Sequence, residues 1–250
     1  MPALGPRAAS GLLLLDKPLG PTSHDAVMMA RRALGTGRVG HCGSLDPLAT
    51  GLLLLVTEDA LKYQNAFMGQ KKTYRGKLRL GLSTDTDDLA GKPLPGPAPS
   101  PERVDAIDEA RLTKAFAALT GAIEQRVPRY SAVKVKGRRL YELAREGIEV
   151  ELPTKSVTIY RFELLSYQKP EGEFLVECSK GAYIRSLVRD VGAALGVGAV
   201  LSALCRESIG DWRRENAFHW DGGREAAKEA LLAHFTPLNR LPGFQPGAAD

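Results

Sequence analysis

The chain has 250 residues, of which 44% are hydrophobic, 25% charged and 6% aromatic, as is ordinary for a globular protein with a sizeable core. The formal net charge of +5 favours a polyanionic partner such as nucleic acid, although many basic proteins bind none. Three distant cysteines and four scattered histidines give no signal of a disulfide framework or of a spaced metal motif. No apolar run reaches the ~18 residues of a membrane span, and no signal peptide precedes Gly11, so a cytoplasmic location is expected.

The first part of the chain predicts two buried strands with a helix between them. Leu12 to Leu15 form the first apolar run, and Leu52 to Val56 form the second. Thr22 is followed three residues later by Asp25, a spacing that resembles a capping box. We therefore expect a helix that begins after Thr22 and ends near Gly35.

The stretch YRGKLRL, residues 74–80, alternates between apolar and basic side chains. Such alternation predicts a half-buried strand with a basic outer face. Residues 91–101 are rich in Pro and Gly and are the most linker-like segment of the chain. Apolar residues at helical spacing then predict a helix over residues 112–119.

The stretch YSAVKVKG predicts a strand with Lys134 and Lys136 on one face, followed by a turn at Gly137. Two further strands are expected, at residues 156–165 and 173–179. Three further helices are expected, at residues 140–144, 182–196 and 225–235. Because strands and helices are interspersed without strict alternation, the fold class expected is α+β with a mixed sheet.

The stretch GHCGSLDPLATG, residues 40–51, places one carboxylate, Asp46, in a loop just before a predicted core strand. On spacing alone a turn is the commoner explanation, because Asp and Pro are favoured turn residues. A carboxylate held rigidly at the end of a core strand would also suit chemistry that needs a single nucleophile or base. Glycosidases and aspartic proteases need a pair of acids, and no second acid lies nearby in the sequence.

Five ordered blocks between residues 11 and 206 resemble the TruB family of tRNA pseudouridine synthases. The blocks are GLLLLDKPLGPTSHDAV, GRVGHCGSLDPLATGLLLL, KKTYRGKLRLGLSTDTDDLAG, QRVPRYSAVKVKGRRLYELAREGIEV and CSKGAYIRSLVRDVGAALG. The resemblance implies the pseudouridine synthase fold, with a mixed, mainly antiparallel central sheet, flanking helices and an active-site cleft. It implies one catalytic domain over residues 10–235, with residues 91–101 as a surface loop. Residues 1–9 and 236–250 are expected to be tails, without a full RNA-binding PUA domain.

The resemblance also implies an activity, the isomerisation of uridine 55 in the T loop of tRNA to pseudouridine. The base is flipped out, the glycosidic bond is broken, and the uracil is reattached through a carbon–carbon bond. Asp46 is then the catalytic residue, and the sequence leaves open whether it attacks the sugar or abstracts a proton. Neither a cofactor nor a metal is implied. The alternative is an RNA-binding or tRNA-folding protein of the same fold without catalysis, which a replacement of Asp46, Tyr74 or Arg185 would favour.

Five further residues match family positions that contact the substrate. They are His41, Tyr74, Tyr183, Arg185 and Leu204. By resemblance, His41 would fill the vacated stack, Tyr74 would stack on the uracil, and Arg185 would pair with the catalytic carboxylate and keep it ionised. From the residues alone, each could instead be an ordinary loop, core or surface side chain.

Basic residues fall in two groups, one between Arg126 and Arg139 and one between Lys71 and Arg79. Contacts from such residues to phosphates would make RNA binding strongly salt-dependent, although a basic run is more often a solvated surface. The candidates for contact with the RNA backbone are Lys17, Lys62, Lys134, Lys136 and Arg138. The partner expected is the T-arm stem-loop of tRNA, bound by a monomer with no membrane association and no obligatory protein partner.

Overall fold

The computed structural model describes residues 9–96 and 98–241, so residues 1–8 and 242–250 of the two predicted tails lie outside the described residues. The chain is α+β, as predicted. Its strands are β1 (Gly11–Lys17), β2 (Val39–His41), β3 (Ala49–Thr57), β4 (Lys72–Leu80), β5 (Gly121–Arg126), β6 (Lys134–Val135), β7 (Arg138–Arg139), β8 (Thr154–Gln168), β9 (Glu171–Cys178), β10 (Ala199–Ile209), β11 (Trp212–Arg213), β12 (Phe218–His219) and β13 (Phe235–Pro237). Its helices are α1 (Ser23–Leu34), α2 (Gln64–Gly69), α3 (Pro101–Asp105), α4 (Glu109–Ala118), α5 (Leu140–Arg145), α6 (Ile184–Leu195) and α7 (Lys228–Leu232), with 3₁₀ turns at Glu58–Tyr63, Arg214–Asn216 and Leu238–Arg240.

The chain divides into two compact units. The described residues up to Lys72 and from Cys205 onward form the first unit, and Thr73–Leu204 form the second. The Pro-rich segment 91–101 lies inside the second unit, so it is not the boundary between the two units. No helix in residues 9–96 and 98–241 is both long and apolar enough to cross a membrane.

The first unit contains a mixed sheet built around β1. This strand pairs antiparallel with β3 and β13 and parallel with β12. The leucines of β1 and β3 are almost completely buried and form the core of the unit. Residues 236–241 were predicted to be part of a tail, but β13 pairs with β1 and Leu241 is buried against the core. That part of the tail prediction is wrong, because these residues complete the sheet and cover the core.

Helix α1 begins and ends where its local signals predict. The Thr22 side chain accepts a hydrogen bond from the Asp25 amide, and the Asp25 carboxylate accepts one from the Thr22 amide at 2.8 Å. Gly35 ends the helix in the left-handed conformation, with a φ of 66°. Because this capping box satisfies two backbone donors that the first turn would leave free, it fixes the start of α1.

The second unit contains the antiparallel strands β5, β8 and β9, with α4 packed on β8. The alternation predicted for residues 74–80 is confirmed, since Tyr74 and Leu78 are buried on β4 while its arginines and Lys77 are exposed. The inner face of β4 has almost no space at Gly76, where an added methyl carbon would lie 2.3 Å from the Phe174 ring. Tyr74 therefore lies on a closely packed strand.

Replacing Gly76 with alanine tests this packing. The added methyl group would push the Phe174 ring against Phe162, which lies edge-on to it at 5.4 Å between ring centroids. We expect Gly76→Ala to lower the free energy of unfolding by about 1 to 3 kcal/mol, the usual penalty of overpacking a core. Urea denaturation would measure the loss, and Gly69→Ala, where no atom lies within 4 Å of the added carbon, is the matched control. Equal stability of the two variants would contradict the packing described.

Two predicted elements differ from the structure. The YSAVKVKG segment forms the short hairpin β6–β7, with Lys136 and Gly137 in its turn at positive φ angles of 51° and 84°. Two residues in this conformation match the turn type that two-residue hairpins prefer, so Lys134 and Lys136 do not share a strand face as predicted. The helix expected over residues 225–235 extends only over Lys228–Leu232. Strand β10 was not predicted at all.

Candidate active site

Asp46 is an exposed residue of the loop that joins β2 to β3. Its carbonyl accepts a hydrogen bond from the Ala49 amide at 3.0 Å, which closes a turn through Pro47 and Leu48. The turn that the Asp-Pro pair indicates is therefore present, and Asp46 is exposed on it. The two explanations of this motif are compatible, because a turn presents the carboxylate.

A buried serine of α1 fixes the backbone immediately before Asp46. The Leu45 amide donates to Ser23 Oγ at 2.8 Å, and Ser23 Oγ donates back to the Leu45 carbonyl at 3.1 Å. On the other side of Asp46, the Gly20 amide donates to the Pro47 carbonyl at 2.9 Å. The loop is thus hydrogen-bonded on both sides of the acid.

Arg206 of β10 holds the same loop from the interior of the first unit. Its side chain donates to the carbonyls of Leu52 at 2.7 Å, Gly43 at 3.1 Å and Ser44 at 3.5 Å. Only 1% of this residue is exposed. Gly51 allows the close approach, since a side chain there would meet the Arg206 backbone at 2.4 Å. Sequence analysis did not identify Arg206, although it directly follows the Leu-Cys pair that contains Leu204.

Lys17 does not have the role predicted for it. It is fully buried, and its ammonium group donates to the carbonyls of Pro18 at 2.8 Å and Pro21 at 2.9 Å. Burial lowers the pKa of Lys17 to about 8, while the charge of Asp46 acts in the opposite direction. A side chain in this position is not available to an RNA phosphate, and its contacts show that it stabilises the turn before α1.

The buried position of Lys17 predicts an unusual dependence of stability on pH. The pKa of Lys17 is about 8 in the folded chain and near 10.4 in the unfolded chain. Between these pH values the unfolded chain binds more protons than the folded chain. The contribution of Lys17 to the free energy of unfolding therefore rises with pH over this window. We expect the free energy of unfolding of the wild type, relative to Lys17→Met, to rise by about 2 kcal/mol over this window. Urea denaturation at several pH values would show it, with Lys62→Met at an exposed position as control. Parallel pH profiles for wild type and Lys17→Met would contradict the prediction.

His41 ends β2 and lies half-buried, paired with Leu55 of β3. Burial, with a smaller contribution from the charge of Arg206, lowers the pKa of His41, so its ring is neutral at pH 7. Its Nδ1 atom is buried without a hydrogen-bond partner among residues 9–96 and 98–241. The next residue, Cys42, is buried with a pKa raised to about 12, so its thiol is unreactive at neutral pH.

Tyr183 caps the N-terminus of α6 in the second unit. The buried Gln125 side chain accepts from the Tyr183 amide at 2.7 Å and donates to the Tyr183 carbonyl at 3.1 Å. The Tyr183 side chain also packs against the small apolar cluster of Val127, Leu140 and Leu143. Gln125 is a second residue that sequence analysis did not identify, and it fixes the start of α6.

Arg185 is buried, so the solvated position that its helix would allow is excluded. Its guanidinium donates to the carbonyls of Thr86 at 2.9 Å and Tyr130 at 3.0 Å, and it lies 3.9 Å from the Asp88 carboxylate. These bonds join the acidic turn after β4 and the segment after β5 to α6. Arg185 is therefore held in a fixed orientation inside the second unit.

Arg189, one helical turn further along α6, makes a parallel set of bonds. It pairs with Asp87 at 3.0 Å and donates to the Arg126 carbonyl at 3.0 Å. Burial raises the pKa of Asp87, although Arg189 and Arg185 counteract part of this rise. Together the two arginines attach the acidic turn to the helix that Tyr183 caps.

The other candidates for RNA backbone contact are exposed. Lys62 lies on the first 3₁₀ turn, and Lys134, Lys136 and Arg138 lie on the β6–β7 hairpin, where Arg138 also pairs with Glu146. In the second basic group, by contrast, most residues have other partners. The ammonium of Lys72 donates to backbone carbonyls, and the two arginines of β4 pair with glutamates of β9. The exposed hairpin is thus the better candidate for contact with phosphates.

The site candidates divide between the two units. The first unit contains Asp46, His41 and Lys17, and the charge of Arg206 acts on the last two. The second unit contains the other substrate-contact candidates, which are Tyr74, Tyr183, Arg185 and Leu204. Leu204 is half-buried on β10. In the part of the chain that the structure describes, no group of three or more His, Cys, Asp or Glu residues could hold a metal ion.

The chain is similar both to a protein family and to individual relatives. Residues 31–184 match the TruB family pseudouridylate synthase (N terminal domain). A tRNA pseudouridine synthase B from Bordetella avium (strain 197N) is 45% identical over 234 residues, which cover 93% of each chain. A second protein of that name, from Syntrophobacter fumaroxidans, is 44% identical over 94% of this chain and 77% of its own length.

A solved structure also has a similar fold. A chain in the crystal structure of a Cbf5–Nop10–Gar1 complex superposes with a TM-score of 0.67 and 27% identity, over 92% of this chain and 60% of that chain. The family match covers more than half of the chain, and the relatives are similar over almost all of it. The chain therefore belongs to the TruB family of pseudouridylate synthases, a family of isomerases.

Proposed function

We propose that this pseudouridine synthase isomerises uridine 55 in the T loop of tRNA, with Asp46 as its catalytic residue. One observation carries the proposal most directly. Asp46 is exposed on a loop that is hydrogen-bonded to Ser23 and to Arg206. The names of the relatives, tRNA pseudouridine synthase B, support tRNA as the substrate.

The reaction needs one acidic group that meets the sugar of an extruded nucleotide. The bond between N1 and C1′ breaks, the uracil turns, and a bond forms between C5 and C1′. The proton on C5 is then lost to solvent, while N1 gains one, so the product is an isomer of the substrate. Asp46 either bonds to C1′ after departure of the uracil or removes a proton from the sugar, and its exposed position suits both routes.

The remaining residues have supporting roles in the proposal. The neutral, half-buried ring of His41 has the flat shape needed to fill the space left by a flipped base. Tyr74 would stack on the uracil, and Tyr183, Arg185 and Leu204 would contact the substrate. Lys62 and the β6–β7 hairpin would bind phosphates. A cytoplasmic monomer without a cofactor or an obligatory protein partner completes the proposal.

The test is tritium release from a T-arm stem-loop labelled at uridine C5. We expect release from an RNA labelled at position 55 and none from an RNA labelled only at another uridine of the stem. Sequencing of the product after carbodiimide treatment would locate pseudouridine at that position. Binding without release, on both the stem-loop and full-length tRNA, would favour an RNA-binding protein of the same fold. Release from a different uridine would contradict the choice of position 55.

A further inference from the structure

Two large apolar side chains are exposed beside the catalytic loop. Leu19 is 62% exposed and Leu48 is 42% exposed, whereas the leucines of the adjacent strands β1 and β3 are almost completely buried. We refer to these two residues as the leucine pair. Scattered exposed leucines are common on protein surfaces, so exposure alone does not define a site. Their positions and the rigidity of their turns are more informative.

Leu19 projects from a turn that has little freedom to move. The Lys17 ammonium donates to two carbonyls of this turn, at Pro18 and Pro21. The rings of both prolines lie within 3.5 Å of the position that a side chain at Gly222 would occupy. The turn is therefore held from inside and packed from behind, and Leu19 is exposed because the fold directs it outward.

Leu48 is presented in the same way. It is the third residue of the turn that the Asp46 carbonyl and the Ala49 amide close at 3.0 Å. The bonds of Ser23 to Leu45 fix the residues before this turn. An apolar side chain that cannot fold back onto the protein remains in water until another molecule covers it.

The leucine pair is adjacent to the carboxylate that meets the substrate. The hydrogen bond from the Gly20 amide to the Pro47 carbonyl joins the two turns, and each leucine is next in sequence to one of these bonded residues. Leu48 is two residues from Asp46, which corresponds to at most about 7 Å between their Cα atoms. Any nucleotide held at Asp46 therefore lies within reach of this surface.

The chemistry of the substrate fits such a surface. Extrusion of one base exposes the apolar faces of its neighbours, and proteins that deform nucleic acids often place leucine or proline against unstacked bases. A protein partner on the same surface would cover Asp46, which the reaction needs free. The substrate is the one molecule that must occupy this position during each turnover.

We propose that the leucine pair contacts the nucleobases that flank the target uridine, and thereby contributes to binding of the flipped RNA. This inference rests on the proposed function, since it takes the occupant of the Asp46 loop to be the RNA substrate. It assigns a role in RNA binding to Leu19 and Leu48, which sequence analysis did not single out. They are binding and positioning residues, and the chemical step remains with Asp46.

The experiment is a double-mutant cycle between protein and RNA. Leu19→Ala and Leu48→Ala are each combined with the intact stem-loop and with stem-loops that lack the base on one side of the target uridine. Dissociation constants come from fluorescence anisotropy, and kcat and KM come from tritium release. Leu165→Ala is the matched control, because this leucine of β8 is also 42% exposed.

We expect each leucine variant to weaken binding of the intact RNA by about fivefold to tenfold, the loss that partial burial of one leucine would cause. KM should rise in parallel while kcat changes little. On one of the RNAs without the flanking base the effect should disappear, because the contact is already absent. Leu165→Ala should bind like the wild type.

Several outcomes would overturn the inference. Wild-type affinity in both leucine variants would do so, as would an equal loss of affinity on intact and abasic RNAs. If the variants instead lost a self-association seen by sedimentation, with RNA affinity unchanged, the surface would bind a second copy of the chain. Binding without tritium release by the wild type would refute the proposed function alone, because the binding cycle still tests the leucine pair. A wild type that does not bind the stem-loop would refute both.

Discussion

Asp46→Asn is expected to abolish isomerisation while leaving the protein folded and able to bind RNA. Asparagine has the same size and can still close the turn, but it can neither form the bond to the sugar nor accept its proton. We expect tritium release to fall by at least about a thousandfold, as for other catalytic carboxylates and nucleophiles. Because Asp46 is exposed but its charge favours the buried ammonium of Lys17, the free energy of unfolding should fall by no more than about 1 kcal/mol.

Two measurements separate an effect on the chemical step from an effect on RNA binding. Single-turnover tritium release gives the rate of the chemical step, and fluorescence anisotropy gives the affinity for the same stem-loop. Asp59→Asn is the matched control, since Asp59 is an exposed acid of the same unit that pairs with Arg38. A rate for Asp46→Asn within tenfold of the wild type would refute the role of Asp46. Loss of binding together with activity would leave the carboxylate as a binding group.

Arg206→Met is expected to have the second largest effect, and to reduce both stability and activity. The substitution leaves the carbonyls of Gly43, Ser44 and Leu52 without this donor, and the loss is largest at the buried Leu52 carbonyl. An unsatisfied buried carbonyl costs about 1 to 3 kcal/mol. Removal of a buried charge offsets part of this loss, so we expect a net decrease of about 2 to 4 kcal/mol. A shift of about 1 Å in the Asp46 loop would lower kcat by about a hundredfold.

Conservative and control variants separate the two effects. Arg206→Lys keeps the charge but has one nitrogen to serve three carbonyls, so it should recover part of the stability and little of the activity. Arg213→Met, at an exposed position, should behave like the wild type. Activity would be measured at a temperature where every variant is folded, as judged by circular dichroism. A normal kcat in a destabilised Arg206→Met would show that this arginine supports the fold and not the loop.

The sequence predicts much of the fold because many of its signals are local. The Thr22–Asp25 capping box and Gly35 define α1, and the alternation over residues 74–80 defines β4. Strand β10 gives no such signal, since its buried positions include Arg206 and Ser208, which interrupt the hydrophobic pattern. Polar residues on a buried face are recognisable only once their partners are known, and those partners are more than 150 positions away for Arg206.

The residues of the candidate site also divide into those with a local sequence signal and those whose partners are distant in the sequence. The residues proposed to act through their own chemistry, such as Asp46 and Tyr74, belong to short motifs that the sequence displays. Residues that position them, such as Ser23, Gln125 and Arg206, act on backbone carbonyls and amides, and any spacing between such partners is possible. Lys17 illustrates the opposite error, because a lysine within a matching motif suggests a phosphate contact, and only its burial identifies a structural role.

The bonds of Ser23 to Leu45 have a consequence for how binding energy is used. A loop that becomes ordered only when RNA arrives would consume about 1 to 2 kcal/mol per residue in lost backbone entropy at that moment. Here the ordering of the loop occurs when the chain folds, because a buried hydroxyl on a helix holds both polar groups of Leu45. In the function proposed here, the interaction energy of the RNA would then be free to extract a stacked nucleotide from its loop.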